Sequence, residues 1–154
     1  MPKRNTHQRS NANSFSGFLR RPTVQIGIVV IAVVVIALIA LSGSKKIDAA
    51  NLPTEINSAQ AYQLYQNNSA VFVDVREQSE WDSFHIPNTT LIPLGELPNR
   101  LSEVPKDRPI VVVCRSGNRS QSGRDILKQA GYTDVKSMAG GVTDWKTQGF
   151  PIQP

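Results

Sequence analysis

Val111-Val-Val-Cys-Arg-Ser-Gly-Asn-Arg-Ser-Gln-Ser122 is the stretch around which this 154-residue chain is organised. A β-branched run ends abruptly in the only cysteine of the protein, Cys114. A small polar turn containing Gly117 follows, and then a helical pattern from about Arg119 to Ala130. Strand, tight loop and helix N-terminus in that order form a cradle for negative charge. Loop N–H groups turn inward, and the helix start adds about half a positive charge. A thiol at the first position of such a cradle is favoured as thiolate. Cys114 is therefore the candidate nucleophile.

Working outward, the same alternation recurs on both sides. Ser58 is placed to cap a helix over Ala59 to Gln66, and Ala70 to Val75 is a nearly continuous apolar run, as in a doubly buried strand. Arg76 to Phe84 suits a short helix, Thr90 to Ile92 a brief strand, and Leu94 to Leu101 another helical stretch. Ile110 to Cys114 is the second strong strand, and Gly131 is well placed to end the helix that follows. Val135 to Met138 reads as a weaker strand. Gly140-Gly141 then turns into a last helix carrying Trp145. Alternating buried strands and helices predict an α/β fold with a central, mainly parallel sheet flanked by helices. In such sheets ligands gather at the carboxyl ends of strands, where Cys114 lies.

The N-terminal third has a different character. Residues 1–22 are rich in Asn, Ser and Arg without periodicity, and are expected to be a basic disordered tail. Val24 to Leu41 is apolar apart from Gln25. As a helix it would span about 27 Å, close to the hydrocarbon thickness of a bilayer. Residues 23–42 are thus expected to be a single transmembrane signal anchor, 43–51 a linker, and 52–154 the folded domain. Ala40-Leu41-Ser42 resembles a cleavage site, so a cleaved signal peptide, with a secreted or periplasmic product, is the alternative. Five Lys/Arg precede the apolar segment and two follow it. The positive-inside rule then puts the N-terminus in the cytoplasm and the domain outside it.

The net charge of +5 belongs to the tail. Seven basic residues and no acid precede residue 47, whereas 10 basic residues face 12 acids beyond it. A slightly acidic domain argues against a nucleic-acid partner. One cysteine excludes an internal disulfide and a CxxC redox pair. With only His7 and His85 beside it, no metal site is expected, and no cofactor.

Four motifs, in order and spacing, resemble the single-domain rhodanese family: Asp74-Val-Arg76, His85-Ile-Pro-Asn88, the loop Cys114 to Ser120, and Gly140-Gly-Val-Thr-Asp-Trp145. The resemblance covers roughly residues 52–152. It implies a rhodanese-like domain and sulfurtransferase activity through a cysteine persulfide. Two positions depart from it, since Phe84 and Asn88 stand where the family often has glycine.

The loop chemistry agrees. A Cys114 thiolate would attack the outer sulfur of a small anionic donor such as thiosulfate, expelling sulfite. The persulfide would be held by N–H groups of Arg115, Ser116, Gly117, Asn118, Arg119 and Ser120, while the Arg115 and Arg119 side chains recruit the anion. The acceptor would be cyanide or a thiol, and a protein acceptor is compatible with the same motif. Asp74 and Arg76 are expected to brace the loop by hydrogen bonds, and His85, Trp81 and Trp145 to be packed. Two other readings compete. One is a tethered persulfide carrier or partner-binding module without turnover. The other is a cysteine phosphatase or arsenate reductase, which would resemble C-x5-R, whereas here Arg119 lies one residue closer to Cys114.

Overall fold

The computed structural model describes residues 30–31 and 47–154. Val30 and Ile31 are helical and exposed. The rest of the tail and of the expected 23–42 anchor lies outside the described residues, among which no helix is long and apolar enough to cross a membrane.

Residues 46–154 form one unit built on five strands. These are β1 (Glu55–Ile56), β2 (Val71–Asp74), β3 (Thr90–Leu91), β4 (Ile110–Val113) and β5 (Val135–Met138). Their order across the sheet is β1-β5-β4-β2-β3, and every pairing is parallel. The helices are α1 (Ser58–Gln66), α2 (Gln78–Ser83), α3 (Asn118–Gln129) and α4 (Gly141–Thr147). β4 is central, registered with Val73↔Val112 on one side and Val112↔Ser137 on the other. Doubly covered parallel strands carry apolar side chains on both faces, and all four residues of β4 are buried.

Successive strand side chains alternate between faces, so β4 feeds two cores. Val111 and Val113 join Ala61, Leu64, Phe72, Met138 and Trp145 on one side. Ile110, Val112 and Cys114 join Val73, Val75, Leu97 and Leu127 on the other. This parity sends the Cys114 side chain to the face covered by α3. On the opposite face Trp145 is fully buried, donates its Nε1–H to Pro151 O at 2.8 Å, and meets Tyr62, Tyr65, Phe72 and Phe150 edge-on.

Several expectations shift by local chemistry. The cap of α1 is Asn57, in a reciprocal box with Gln60, while Ser58 Oγ instead donates to Asp144 Oδ2 at 2.6 Å. Leu94 to Leu101 forms no α-helix. Two 3-10 turns, Leu97–Asn99 and Leu101–Glu103, stand there, with Pro98 inside the first removing a donor. The linker expected over 43–51 is partly domain: Asp48 caps a 3-10 turn over Ala49–Asn51, and Ala49 is buried in the core. β1 was unforeseen, being two residues long and defined only by its pairing with β5. Asn88 keeps a left-handed turn at φ 59, which asparagine tolerates best among residues with a side chain. Phe84 sits in extended backbone that needs no glycine.

Candidate active site

Three adjacent strands deliver their carboxyl ends to one edge of the sheet. β2 leads into Val75 and Arg76, β4 into Cys114, and β5 into Ala139 and the Gly140-Gly141 turn. Cys114 is 1% exposed, packed by the second core on one side. On the other, the Gly117 N–H donates to its Sγ at 3.1 Å. Gly117 turns the chain at φ 111, a conformation open to glycine and little else, and is the N-cap of α3. Ser120 Oγ donates to Gly117 O at 2.6 Å and fixes the turn from inside the helix.

The expected ring of six N–H donors is therefore only partly closed on the sulfur, since Gly117 alone reaches it. Among the described residues no protein group accepts from the N–H groups of Arg115, Ser116, Asn118, Arg119 or Ser120. Those of Asn118, Arg119 and Ser120 are the first-turn amides of a 12-residue helix that has no acidic residue in that turn, and those of Arg115 and Ser116 precede it in the loop. Arg115, Ser116 and Asn118 are exposed, while Gly117 and Ser120 are buried.

α4 locks the loop from behind. Val142 N–H donates to Cys114 O at 2.8 Å and Thr143 N–H to Arg115 O at 3.2 Å. This contact was not foreseen in the Gly140-Gly141 pair. Gly141 has φ +58, and a Cβ there would overlap Cys114 O and the backbone of Arg115.

Arg119 differs from expectation. Its guanidinium makes a bidentate pair with Glu80 of α2, both N···O distances 2.7 Å, so its charge is already matched. The hydrogen bonds from Arg119 hold the Glu80 carboxyl down to about 2, from its ordinary value near 4.5. A carboxylate with a lowered folded-state value stabilises the fold above its unfolded value and loses that contribution as it protonates. The stability advantage of the native chain over Glu80→Gln is expected to be about 1 kcal/mol, as for a half-exposed ion pair. It should be constant above about pH 5 and shrink between 4.5 and 2, as read by thermal melts of both proteins across pH.

The Asp74–Arg76 pair is buried, 0% and 2% exposed. Arg76 Nε and Nη2 grip both carboxylate oxygens at 2.7–2.9 Å. Its remaining donors reach Glu80 O at 3.2 Å and Phe84 O at 3.0 Å. Contrary to expectation, the brace makes no hydrogen bond to the cysteine loop. It holds the middle and the C-terminal end of α2, and α2 in turn presents Glu80 to Arg119. His85 is packed as expected, stacked on Trp81 at 3.8 Å and bridged through its backbone to Gln153.

A cavity of about 630 Å³ opens between α2, the loop and α4, walled by Arg76, Glu80, Phe84, Arg115, Thr143 and Lys146 among others. Thr143 and Lys146 carried no signal in the sequence, because their neighbours come from elements far apart in the chain, and Phe84 stood out only as a departure from the motif.

A buried thiol thus stands at the carboxyl end of the central strand of a parallel α/β sheet, beside a loop and helix start whose amides, Gly117 apart, have no protein acceptor among the described residues. The model of the rhodanese-like domain matches residues 57–148. The chain belongs to that family. A sulfurtransferase of Allochromatium vinosum is 38% identical over 99 residues, spanning 64% of this chain and 92% of its own. A thiosulfate sulfurtransferase GlpE of Pseudomonas syringae is 38% identical over 85 residues, 55% of this chain and 80% of its own. The crystal structure of a rhodanese-related protein from Thermoplasma volcanium superposes with a TM-score of 0.59 at 31% identity, covering 66% of this chain and 98% of that one. Sulfur transfer is the general chemistry of these relatives.

Proposed function

We propose that this protein is a sulfurtransferase that takes a sulfane sulfur from thiosulfate or a similar small anion and passes it to cyanide or a thiol through a Cys114 persulfide. The observation that carries the reading is the Gly117 N–H on Cys114 Sγ, with five further amides of the loop and the first turn of α3 lacking protein acceptors among the described residues. The Sγ thiolate attacks the outer sulfur of the donor, the donor S–S bond breaks, and sulfite leaves with the electron pair. The loop amides and the α3 N-terminus then stabilise the charge on the new terminal sulfur. Attack by the acceptor on that sulfur returns the electron pair to Sγ.

The matched Arg119–Glu80 pair gives no support to phosphate chemistry, which would want that guanidinium free for the ester oxygens. Residues 23–42 are proposed to tether the domain to a membrane as a single pass, with the domain on the extracytoplasmic side. The support is the length and apolarity of Val24–Leu41 and the basic excess before it.

Steady-state thiocyanate formation from thiosulfate and cyanide tests the activity. Many turnovers per protein are expected, falling by roughly 10³ or more in Cys114→Ser, as for loss of a nucleophile. One equivalent and no more would assign a stoichiometric carrier, and aryl phosphate hydrolysis dependent on Cys114 would replace the reading altogether.

A further inference from the structure

We infer that the cavity beside the cysteine loop selects the sulfur acceptor by charge, admitting small organic thiols that carry carboxylates, with Lys146 as the specificity-determining residue. The inference rests on Cys114 carrying a persulfide, and goes on to name what receives the sulfur.

Size comes first. A cavity of about 630 Å³ lies in the range that holds a drug-sized molecule, far more than thiosulfate or cyanide needs. Charge comes second. Of the ionised groups on its wall, Arg76 is matched by Asp74 and Glu80 by Arg119. Arg115 and Lys146 have no carboxylate partner among the described residues, and both are exposed. Two unmatched cations therefore line a cavity whose wall includes Arg115, the residue that follows Cys114.

Lys146 is also held in place. Its Nζ lies 4.3 Å from the centroid of the Phe84 ring, within cation–π range. The Phe84 backbone is anchored where its carbonyl accepts from Arg76 Nη2 at 3.0 Å, and the Arg76 guanidinium carbon lies 5.6 Å from the centroid of the same ring. Phe84 stands where the motif resemblance led to glycine, and a glycine would offer no ring to seat the ammonium. Departure from the pattern and the unmatched lysine are thus one feature.

The reaction explains why the cations matter. An acceptor thiolate attacks the outer sulfur of the Cys114 persulfide, the bond from that sulfur to Sγ breaks, and the electron pair returns to Sγ. The products are the acceptor persulfide and the free Cys114 thiolate, with no outside oxidant or reductant. Two sulfur centres rich in negative charge must meet, and fixed cations at the mouth reduce their repulsion most for an acceptor bearing further carboxylates.

The test uses the full-length chain loaded with thiosulfate, freed of donor, and mixed with thiols of graded charge. Mercaptosuccinate, 3-mercaptopropionate, 2-mercaptoethanol and cysteamine serve as probes, with second-order discharge rates expressed per thiolate. The rates should fall in that order, mercaptosuccinate exceeding 2-mercaptoethanol by about tenfold at low salt and by less as salt is added. Lys146→Glu should reduce the mercaptosuccinate to 2-mercaptoethanol ratio by about tenfold and raise cysteamine, while Lys146→Arg retains the native order. A flat native series, or the same ratio in Lys146→Glu as in the native chain, would overturn the inference. Failure of thiosulfate to load Cys114 at all would instead remove the reading beneath it.

Discussion

Asp74→Ala is expected to destabilise the domain by about 3–5 kcal/mol, because it leaves the Arg76 guanidinium buried and unpaired. Arg76 is 2% exposed, and among the described residues Asp74 is the carboxylate in direct contact with it, so the substitution removes its paired counter-ion. For a domain of about this size each kcal/mol moves Tm by about 4–8 °C, so a loss of roughly 15 °C or more should appear in thermal melts. Replacing both partners with apolar residues, Asp74→Leu with Arg76→Met, should recover much of that loss, since the desolvation burden of both ions disappears. It should not restore activity, because the Glu80 and Phe84 carbonyls then lose the donor that places α2 beside the loop.

Gly141→Ala should do more damage to catalysis than its one methyl suggests. A Cβ at that position overlaps Cys114 O and the Arg115 backbone, so the α4 N-terminus must lift away from the loop. The left-handed φ of +58 alone accounts for about 1–2 kcal/mol in a residue with a side chain. Displacing Cys114 by even a fraction of an ångström should lower kcat by up to about 10²-fold. Gly131→Ala is the control. It has φ +87 but open space around the missing Cβ, so it should lose stability on the same scale while thiocyanate formation is unchanged. Comparable activity losses in the two variants would show that strain, and not contact with the cysteine loop, sets the effect.

Much of this arrangement could be read locally. The run Ile110 to Val113, its end at Cys114, the turn at Gly117 and the helix stop at Gly131 are encoded by residues a few positions apart, and the structure has them within a residue or two. Strand parity even determines which face receives the thiol. What escaped is non-local. Glu80 and Arg119 are 39 residues apart in sequence, and nothing in either segment announces the other. The Arg76 brace was legible as a brace, but its acceptors, Glu80 O and Phe84 O, are backbone groups whose placement depends on how α2 ends. β1 exists because β5 offers it an edge, a fact absent from the dipeptide Glu55-Ile56 itself.

The burial of Cys114 makes its chemistry the point to test first. A cysteine that is 1% exposed and packed among valines would ordinarily be inert, whereas one whose sulfur meets a loop amide under a helix N-terminus should accept sulfur. Intact mass of the full-length chain after incubation with thiosulfate separates the two. A gain of about 32 Da, one sulfur, that is reversed by a thiol and absent from Cys114→Ser is the predicted result. An unchanged mass in the native chain would contradict it and leave Cys114 as a core side chain.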